Sequence, residues 1–400
     1  MFPRYMSMAD DSRHMNHRRA KVAIILEKMP GVSAGGSYAV GAWMAEALKG
    51  SYDVTMVTPD PNLSALELNT YFGTCLEPHE VKIKYVSLPL AMHYTQRLWL
   101  LKKHLLLRHC ARVAKNYDLV IYSSGEAHFG VRGIQYIHFP IAARNGTRRG
   151  IFSEFYEAFC EGVSGYSLEG VRANLTLTNS LWTAALIRQV YNLEPLVLHP
   201  PVPDDYPSVP WESREDGFLC VGRIVREKRV ESVIRILKRV RERGWDIHLH
   251  LIGEAYDCRY WRSLSRLVTS ESSWVSVEGA LSRRDLVAFL VRHKYGLHGM
   301  TQEHFGIAVG EMVKAGCVVF VPYGGGQLEI VGDERLTYLD ESLAVDKICA
   351  VLSSEKLQLE LRTDLARSSQ EFSSAIFAEG MRTIVQDFLE HKPIRQAASD

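Results

Sequence analysis

Residues 294–326 read KYGLHGMTQEHFGIAVGEMVKAGCVVFVPYGGG, and their pattern indicates the class of the fold. An apolar run at 294–300 comes first, a second apolar run at 317–323 follows, and three glycines close the stretch. Short apolar runs bounded by glycine are typical of buried strands. The segment between them predicts a helix that begins near Gly306 or Ile307 and ends at Gly316. A strand, a helix and a second strand in succession indicate a parallel βαβ unit.

The same alternation recurs along most of the chain, which predicts an α/β fold with parallel sheets. Ser180 precedes one of the helical segments, and we expect its side chain to cap that helix. The other predicted strands are 21–26, 53–59, 118–124, 134–140, 174–180, 218–224, 246–253 and 274–280, and the other predicted helices are 38–50, 181–191, 230–244 and 373–392.

A proline-rich segment with few apolar runs, 195–216, interrupts the alternation and is interpreted as an interdomain linker. In open α/β sheets, ligands bind beyond the carboxyl ends of the strands, so the cleft between two such domains is the expected site. The predicted organisation is a tail at 1–20, a first domain at 21–197, a linker at 198–216, a second domain at 217–372, and a C-terminal helix returning to the first domain, with a tail, at 373–400.

Composition excludes several classes of protein. The 400 residues contain 46% hydrophobic and 23% charged residues, which is the composition of an ordinary globular protein. The formal net charge is +1, too small to indicate electrostatic attraction of nucleic acid. Seven scattered cysteines without a Cys-x-x-Cys pair favour reduced thiols in a cytosolic enzyme over a disulfide framework or a zinc site. No window approaches a transmembrane helix, and the N-terminus lacks a signal peptide, so we expect a cytoplasmic location.

Two cations follow one predicted strand in the stretch VGRIVREKR at 221–229. Arg223 ends the strand, and Lys228 is expected at the start of the next helix. An arginine that binds two phosphate oxygens and a lysine that supplies a point charge would make a diphosphate clamp. The alternative is ordinary solvated surface charge.

Two glutamates flank the predicted start of the helix in 303–312. The free N–H groups at a helix start can bind phosphate. Glu303, outside the helix, could accept hydrogen bonds from sugar hydroxyls, and Glu311, inside it, could bind a ribose. Alternatively, Glu303 complements the helix dipole and Glu311 is solvated. The glycines at 324–326 could offer N–H groups to anions or simply form a loop.

The order of these motifs resembles one family. GRI-x-x-EKR, then E-H-F-G-I-x7-A-G, then GG before an acidic residue are similar to motifs of the GT-B glycosyltransferases of family 4. GGSYAVGAWMAEAL and TNSLWTAALI resemble the family's first-domain segments. YIHFP and GLHGMTQEHFGIAVGEMVKAG are most similar to eukaryotic mannosyltransferases that extend lipid-linked oligosaccharide from GDP-mannose. The resemblance covers residues 21–390, more firmly in the second domain than in the first.

The resemblance implies a GT-B fold, in which two Rossmann-like doubly wound domains face a central cleft. It implies a retaining hexosyltransferase that moves a hexose from a nucleoside-diphosphate sugar, GDP-mannose or a UDP-sugar, to a glycan, lipid-linked or small-molecule acceptor. The nucleotide sugar is then a substrate and no cofactor is expected. The sequence contains no Asp-x-Asp, so no metal is implied either.

The family pattern also assigns roles to residues of this chain. Arg223 and Lys228 would bind the donor diphosphate, Glu303 the transferred sugar, and Glu311 the ribose. His138 would contact the sugar near the reacting centre, or else be a hydrogen-bonded structural histidine. The remaining donor-binding positions that the resemblance implies are Gly36 near the phosphates, the backbone of Phe305, Gly306 and Ile307, and Gly279, Ala280 and Leu281 near the base.

Residues 95–117 contain six Lys and Arg and no Asp or Glu. Such a helix could contact an anionic membrane at its inner face, near a lipid-linked acceptor, or could pack on the first sheet with its cations in water. Rival functions are a GT-B pseudo-glycosyltransferase or epimerase, and a non-catalytic nucleotide-sugar-binding subunit. The presence of all four charged residues of the motifs favours an active enzyme.

Overall fold

The computed structural model describes residues 18–27, 35–89, 98–146, 151–255 and 257–392, and two parallel sheets organise them. The strands of the first sheet are β1 (Lys21–Ile25), β2 (Asp53–Thr58), β3 (Val81–Tyr85), β4 (Leu119–Tyr122), β5 (Ile134–Ile137), β6 (Leu175–Thr178) and β7 (Leu196–Val197). Their order is β3-β2-β1-β4-β5-β6-β7, and every pairing is parallel.

Helices cover both faces of the first sheet. They are α1 (Gly36–Leu48), α2 (Ala65–Phe72), α3 (Trp99–Val113), α4 (Ile151–Ser164), α5 (Leu168–Ala173) and α6 (Leu181–Tyr191). Two separate clusters of buried apolar side chains lie against this sheet. The predicted cap of α6 is confirmed, because Ser180 Oγ accepts the Thr183 N–H at 3.0 Å.

The second sheet follows the linker. Its strands are β8 (Glu215–Val221), β9 (His248–Ile252), β10 (Val275–Gly279), β11 (His293–Leu297), β12 (Val318–Pro322) and β13 (Thr337–Tyr338), in the order β10-β9-β8-β11-β12-β13. The remaining helices are α7 (Val230–Glu242), α8 (Cys258–Ser270), α9 (Arg283–Arg292), α10 (Ile307–Lys314), α11 (Gln327–Val331), α12 (Glu341–Leu352), α13 (Glu355–Ser368) and α14 (Ser374–Leu389). One large apolar cluster fills this half.

Each strand predicted from the sequence is present, but three strands were missed. β3 reads VKIKY and forms an edge of the first sheet, where most of its side chains are exposed, so it lacks an apolar run. β7 and β13 have two residues each, too short for a periodicity. β8 begins at Glu215, so it takes up the last two residues of the segment expected to be linker.

The last helix, α14, packs beside α1 rather than against the second sheet. Phe377, Met381 and Val385 of α14 are buried in the same cluster as Val40 and Met44 of α1. The chain therefore ends its described part on the first half of the molecule.

Helix α3 buries charged as well as apolar side chains. Lys102 and Lys103 are buried, so the expectation that all its cations lie in water is wrong. Leu106, Leu107 and Cys110 lie in the cluster between α3 and the first sheet, whereas Arg108 and Arg112 are exposed. Residues 95–97 of the predicted helix lie outside the described residues. Among the described helices, none combines the length and apolar character needed to cross a bilayer.

Candidate active site

Two helix N-termini meet at the carboxyl ends of the strands. Helix α10 begins at Ile307, after Gly306 whose φ of 102° lies in the left-handed region that glycine adopts readily. Helix α1 begins at Gly36, and a Cβ placed on that glycine would lie 3.2 Å from Ile307 Cδ1. The first N–H groups of an α-helix have no acceptor within the helix. Both helices therefore direct N–H donors toward one region, and such an arrangement is well suited to binding phosphate.

Lys228, Glu303 and His298 form a hydrogen-bonded cluster beside the start of α10. The Lys228 Nζ pairs with Glu303 Oε2, and His298 Nε2 lies 2.9 Å from the same oxygen. The side chains of these residues are 19%, 12% and 1% exposed, respectively. Glu303 is therefore held in one orientation by two donors, and its role is more than complementing the helix dipole.

Burial and the Lys228 charge together determine the protonation states of Glu303 and His298. Burial alone would raise the pKa of Glu303, but the Lys228 ammonium and the His298 hydrogen bond outweigh it and hold that pKa well below its ordinary value. Burial and the nearby Lys228 charge lower the pKa of His298. A neutral His298 then donates its Nε2–H to an ionised Glu303.

Lys228 lies before the helix rather than at its start, which corrects the expectation from the sequence. Residues Arg226–Lys228 form a 3-10 turn, Arg229 has a φ of 48°, and α7 starts at Val230. The turn carries the Lys228 side chain over Gly222, where an added Cβ would lie 3.6 Å from Lys228 Cε. A side chain at 222 would make an ordinary van der Waals contact with the lysine, so it is the φ of 134° at this position that favours glycine.

Arg223 lies two residues after the end of β8 and is exposed. Its backbone passes close to the end of β9, since a Cβ on Gly253 would lie 3.3 Å from the Arg223 nitrogen. Arg223 and Lys228 therefore leave the sheet at the same edge, and Lys228 pairs with Glu303.

Glu311 has a buried ionic partner that the sequence analysis missed. Arg283 Nη1 lies 2.5 Å from Glu311 Oε1, and the same guanidinium contacts both oxygens of Asp205. Arg283 is 7% and Glu311 15% exposed, which contradicts a solvated Glu311. Burial raises the pKa of Glu311 even though Arg283 opposes that shift.

The segment expected near the base connects this pair to the sheet edge. Gly279 is the last residue of β10, with a φ of 72°, and Ala280 is exposed. Leu281 packs against the large apolar cluster just before Arg283 opens α9. Arg283 comes four residues after the end of β10, and this position was the only feature of the sequence that could have indicated its contact with Glu311.

His138 has the hydrogen bonds of a structural histidine. Its Nε2 lies 2.8 Å from the Ser123 carbonyl oxygen, and its own carbonyl accepts from Asn179 at 3.0 Å. Burial lowers the pKa of His138 to about 4, and the neighbouring His304 adds to that shift. Since a neutral ring must donate from Nε2 to a carbonyl, only Nδ1 could accept from a ligand.

The glycines after β12 support the loop that carries Glu303. The Gly326 N–H donates to the Glu303 carbonyl at 2.7 Å. A Cβ on Gly325 would lie 2.3 Å from that carbonyl oxygen, and one on Gly326 would lie 2.3 Å from the His304 carbonyl oxygen. Close packing of two backbones is therefore their observed role. The Phe305 ring anchors the same loop in the core, 5.4 Å from Phe372.

The two halves contact each other directly beside this loop. Ser180 and Thr183 of the first half both donate to the His304 carbonyl oxygen, at 2.6 and 3.3 Å. The Glu329 carboxylate accepts the N–H groups of Leu181 and Trp182 at 3.0 and 3.1 Å. The first turn of α6 is thus attached to the second half. Glu329 is the acidic residue that follows the glycines in the sequence motif, and its contact with α6 was not predicted.

Comparisons with known proteins agree with this architecture. Residues 204–371 match the family model of glycosyl transferases group 1. A GDP-Man:Man(3)GlcNAc(2)-PP-Dol alpha-1,2-mannosyltransferase of Neurospora crassa is 31% identical over 42% of the chain, and the chain spans 36% of that relative. The alpha-1,3/1,6-mannosyltransferase ALG2 of Mus musculus is 25% identical over 62% of the chain, which spans 66% of it.

Solved structures resemble almost the whole chain. Anabaena HepE in complex with UDP and glucose has a TM-score of 0.69 at 14% identity, covering 92% of this chain and 100% of HepE. Sucrose-phosphate synthase from Thermosynechococcus elongatus has a TM-score of 0.72 at 15% identity, and the match covers 94% of this chain and 100% of the synthase chain. With the two parallel sheets, this likeness confirms the predicted GT-B fold.

Proposed function

We propose that this chain, a GT-B glycosyltransferase with a group 1 domain at residues 204–371, is an active hexosyltransferase. It would transfer a hexose from a nucleoside-diphosphate sugar to an acceptor hydroxyl. The observation that carries the proposal is the Lys228–Glu303–His298 cluster beside the N-terminus of α10. It supplies a cation for a diphosphate and a carboxylate for sugar hydroxyls within one hydrogen-bonded unit.

In this proposal the positive charge of the site acts on the leaving group. As the bond between the anomeric carbon and the distal phosphate oxygen breaks, negative charge grows on the nucleotide. Arg223, Lys228 and the start of α10 would stabilise that charge. The acceptor oxygen would bond to the anomeric carbon on the face that the phosphate leaves, and its proton would pass to the departing phosphate oxygen, so the anomeric configuration would be retained. His138 would orient the sugar only through Nδ1.

We propose GDP-mannose as the donor, because the relatives named above are mannosyltransferases and one is named for GDP-Man. Gly279, Ala280 and Leu281 would adjoin the base, and Glu311 with Arg283 the ribose. The acceptor would be a glycan, a lipid-linked saccharide or a small molecule. We also propose a cytoplasmic protein whose exposed α3 cations Arg108 and Arg112 could face an anionic membrane surface.

Thermal unfolding with candidate donors tests this function. At a donor concentration 100 times the Kd, mass action contributes about 2.7 kcal/mol, which corresponds to a melting-temperature rise of roughly 5–10 °C. We expect GDP-mannose and GDP to raise the melting temperature more than UDP-glucose, UDP-GlcNAc and UDP do, with ATP as the unrelated control. Nucleotide release that requires an acceptor would then show transfer.

Two outcomes would contradict the proposal. Equal shifts with all nucleotides, ATP included, would exclude a specific donor site. Binding of a donor without acceptor-dependent nucleotide release, across glycan and lipid-linked acceptors, would favour a non-catalytic sugar-nucleotide-binding subunit.

Catalysis is expected to need no divalent metal, because Arg223, Lys228 and the start of α10 would supply the positive charge. Initial rates with excess EDTA and with added magnesium or manganese should agree within about twofold, a difference under 0.5 kcal/mol in transition-state stabilisation. The assay temperature must lie well below unfolding, so that stability does not enter the comparison. Loss of activity in EDTA that magnesium or manganese restores would refute this expectation.

A further inference from the structure

Three histidines and a glutamate cluster at the opposite edge of the second sheet. Glu215, His248 and His293 are the first residues of the strands β8, β9 and β11, and His250 is the third residue of β9. These strands are neighbours in the order β9-β8-β11. One ligand atom from each residue lies within 4.8 Å of the others. The cluster is at the amino ends of the strands, whereas the candidate active site is at their carboxyl ends.

A buried nitrogen in this cluster lacks a hydrogen bond. His293 is 0% exposed, and its Nδ1 donates to the Phe289 carbonyl oxygen at 2.8 Å. Its Nε2 is buried and, among the described residues, has no hydrogen-bond partner. The Nε2 of His248 is in the same situation. A buried polar atom without a partner is destabilising, so two of them facing one point indicate a missing ligand.

The rings are oriented as metal-binding histidines usually are. His250 Nδ1 lies 2.6 Å from the Glu278 carboxylate on β10, and a carboxylate can only accept that bond, so the lone pair is on His250 Nε2. The Phe289 carbonyl fixes the same tautomer in His293. Hydrogen bonds from the second ring nitrogen to a carboxylate or carbonyl are the regular outer contacts of metal-bound histidines.

The backbone makes room for this arrangement. A Cβ on Gly217 of β8 would lie 2.2 Å from His248 Nε2, so the imidazole occupies the space that any other residue would fill. The two carboxylate oxygens of Glu215 have different neighbours. Oε1 lies 2.8 Å from Arg292 Nε, while Oε2 lies 3.4 Å from His248 Nε2 and 3.6 Å from His293 Nε2.

We propose that Glu215, His248, His250 and His293 bind one divalent transition-metal cation of the zinc class. Tetrahedral zinc with Zn–N distances of 2.0–2.1 Å places its ligand atoms roughly 3.3 Å apart, close to the two separations from Glu215 Oε2. Imidazole suits zinc, and none of the seven cysteines takes part. With four protein ligands the site is closed and structural. It fastens the end of the linker, at Glu215, to β9 and β11.

Metal titration of the full chain tests the site without reference to transfer activity. The protein is purified without a polyhistidine tag, stripped with EDTA and titrated with zinc. We expect one equivalent per chain, and a melting-temperature rise of roughly 5–10 °C at 100 times the Kd. Cobalt in place of zinc should give the visible bands of a tetrahedral ion without a thiolate charge-transfer band.

Variants separate the site from adventitious binding. His248→Gln and Glu215→Gln change partly exposed ligands and should lower zinc affinity at least 100-fold, and Glu278→Gln, which removes an outer contact, about 10–100-fold. Gly217→Ala should displace the His248 ring and weaken zinc binding without removing a ligand. His79→Ala, an exposed histidine outside the cluster, is the matched control. Absence of stoichiometric zinc, or equal affinity in the control and in His248→Gln, would overturn the proposal.

Discussion

Replacing Lys228 with alanine is expected to lower kcat/KM for the donor about 30-fold or more, with a smaller loss of stability. A charge-assisted hydrogen bond to phosphate contributes on the order of 2 kcal/mol, which is a factor of about 30 in rate. The variant also leaves Glu303, 12% exposed, without its cation. Arg223→Ala should lose a similar factor through the lost phosphate contact.

Initial rates at subsaturating donor, with circular dichroism to verify folding, measure this effect. Lys238→Ala is the matched control, since Lys238 is half exposed, pairs with Glu271, and lies roughly 12 Å along α7 from the start of that helix. Near-normal turnover in both Lys228→Ala and Arg223→Ala would show that these cations are ordinary surface charges.

Separate losses of binding are expected when the two glutamates are removed. Glu311→Ala should weaken free GDP and intact donor alike, by about tenfold or more, because the ribose is common to both and a hydrogen bond to a carboxylate contributes about 1.5–3 kcal/mol. Glu303→Ala should spare free GDP while weakening sugar-dependent binding and slowing transfer. It also frees Lys228 from its carboxylate partner, which is a further reason why free GDP should not bind more weakly.

Calorimetric titration of GDP and donor on the same variants distinguishes these outcomes. Glu311→Ala leaves Arg283 with Asp205 as its carboxylate partner, so Glu311→Gln, which retains a hydrogen-bond acceptor, is the second variant that separates folding from binding. If Glu303→Ala weakens free GDP as much as Glu311→Ala does, the division between sugar and ribose contacts is wrong.

The predictable parts of this fold are those decided by local sequence. The cap at Ser180 and the start of α10 at Ile307 were predicted correctly, because capping and the change from strand to helix periodicity are local. The edge strand β3 was missed because its alternating lysines remove the apolar run.

The partners within the site could not be predicted in the same way. Arg283 and Glu311 are 28 positions apart, and Asp205 lies in the linker, so their spacing does not predict that Arg283 contacts both carboxylates. The histidine cluster is assembled from three strands that become neighbours only when the sheet forms. Such contacts depend on strand order, which alternation of strands and helices does not specify.

The hydrogen bonds between the two halves are insensitive to much of the sequence around them. The His304 carbonyl accepts from the Ser180 and Thr183 hydroxyls, and Glu329 accepts from the amides of Leu181 and Trp182, so main-chain atoms form one side of each of these hydrogen bonds. These hydrogen bonds need the side chains of Ser180, Thr183 and Glu329 only. The His304 ring also stacks on Phe139 and Trp182 across the junction, so a substitution at 182 or 304 would change the packing of the two halves while leaving these hydrogen bonds in place.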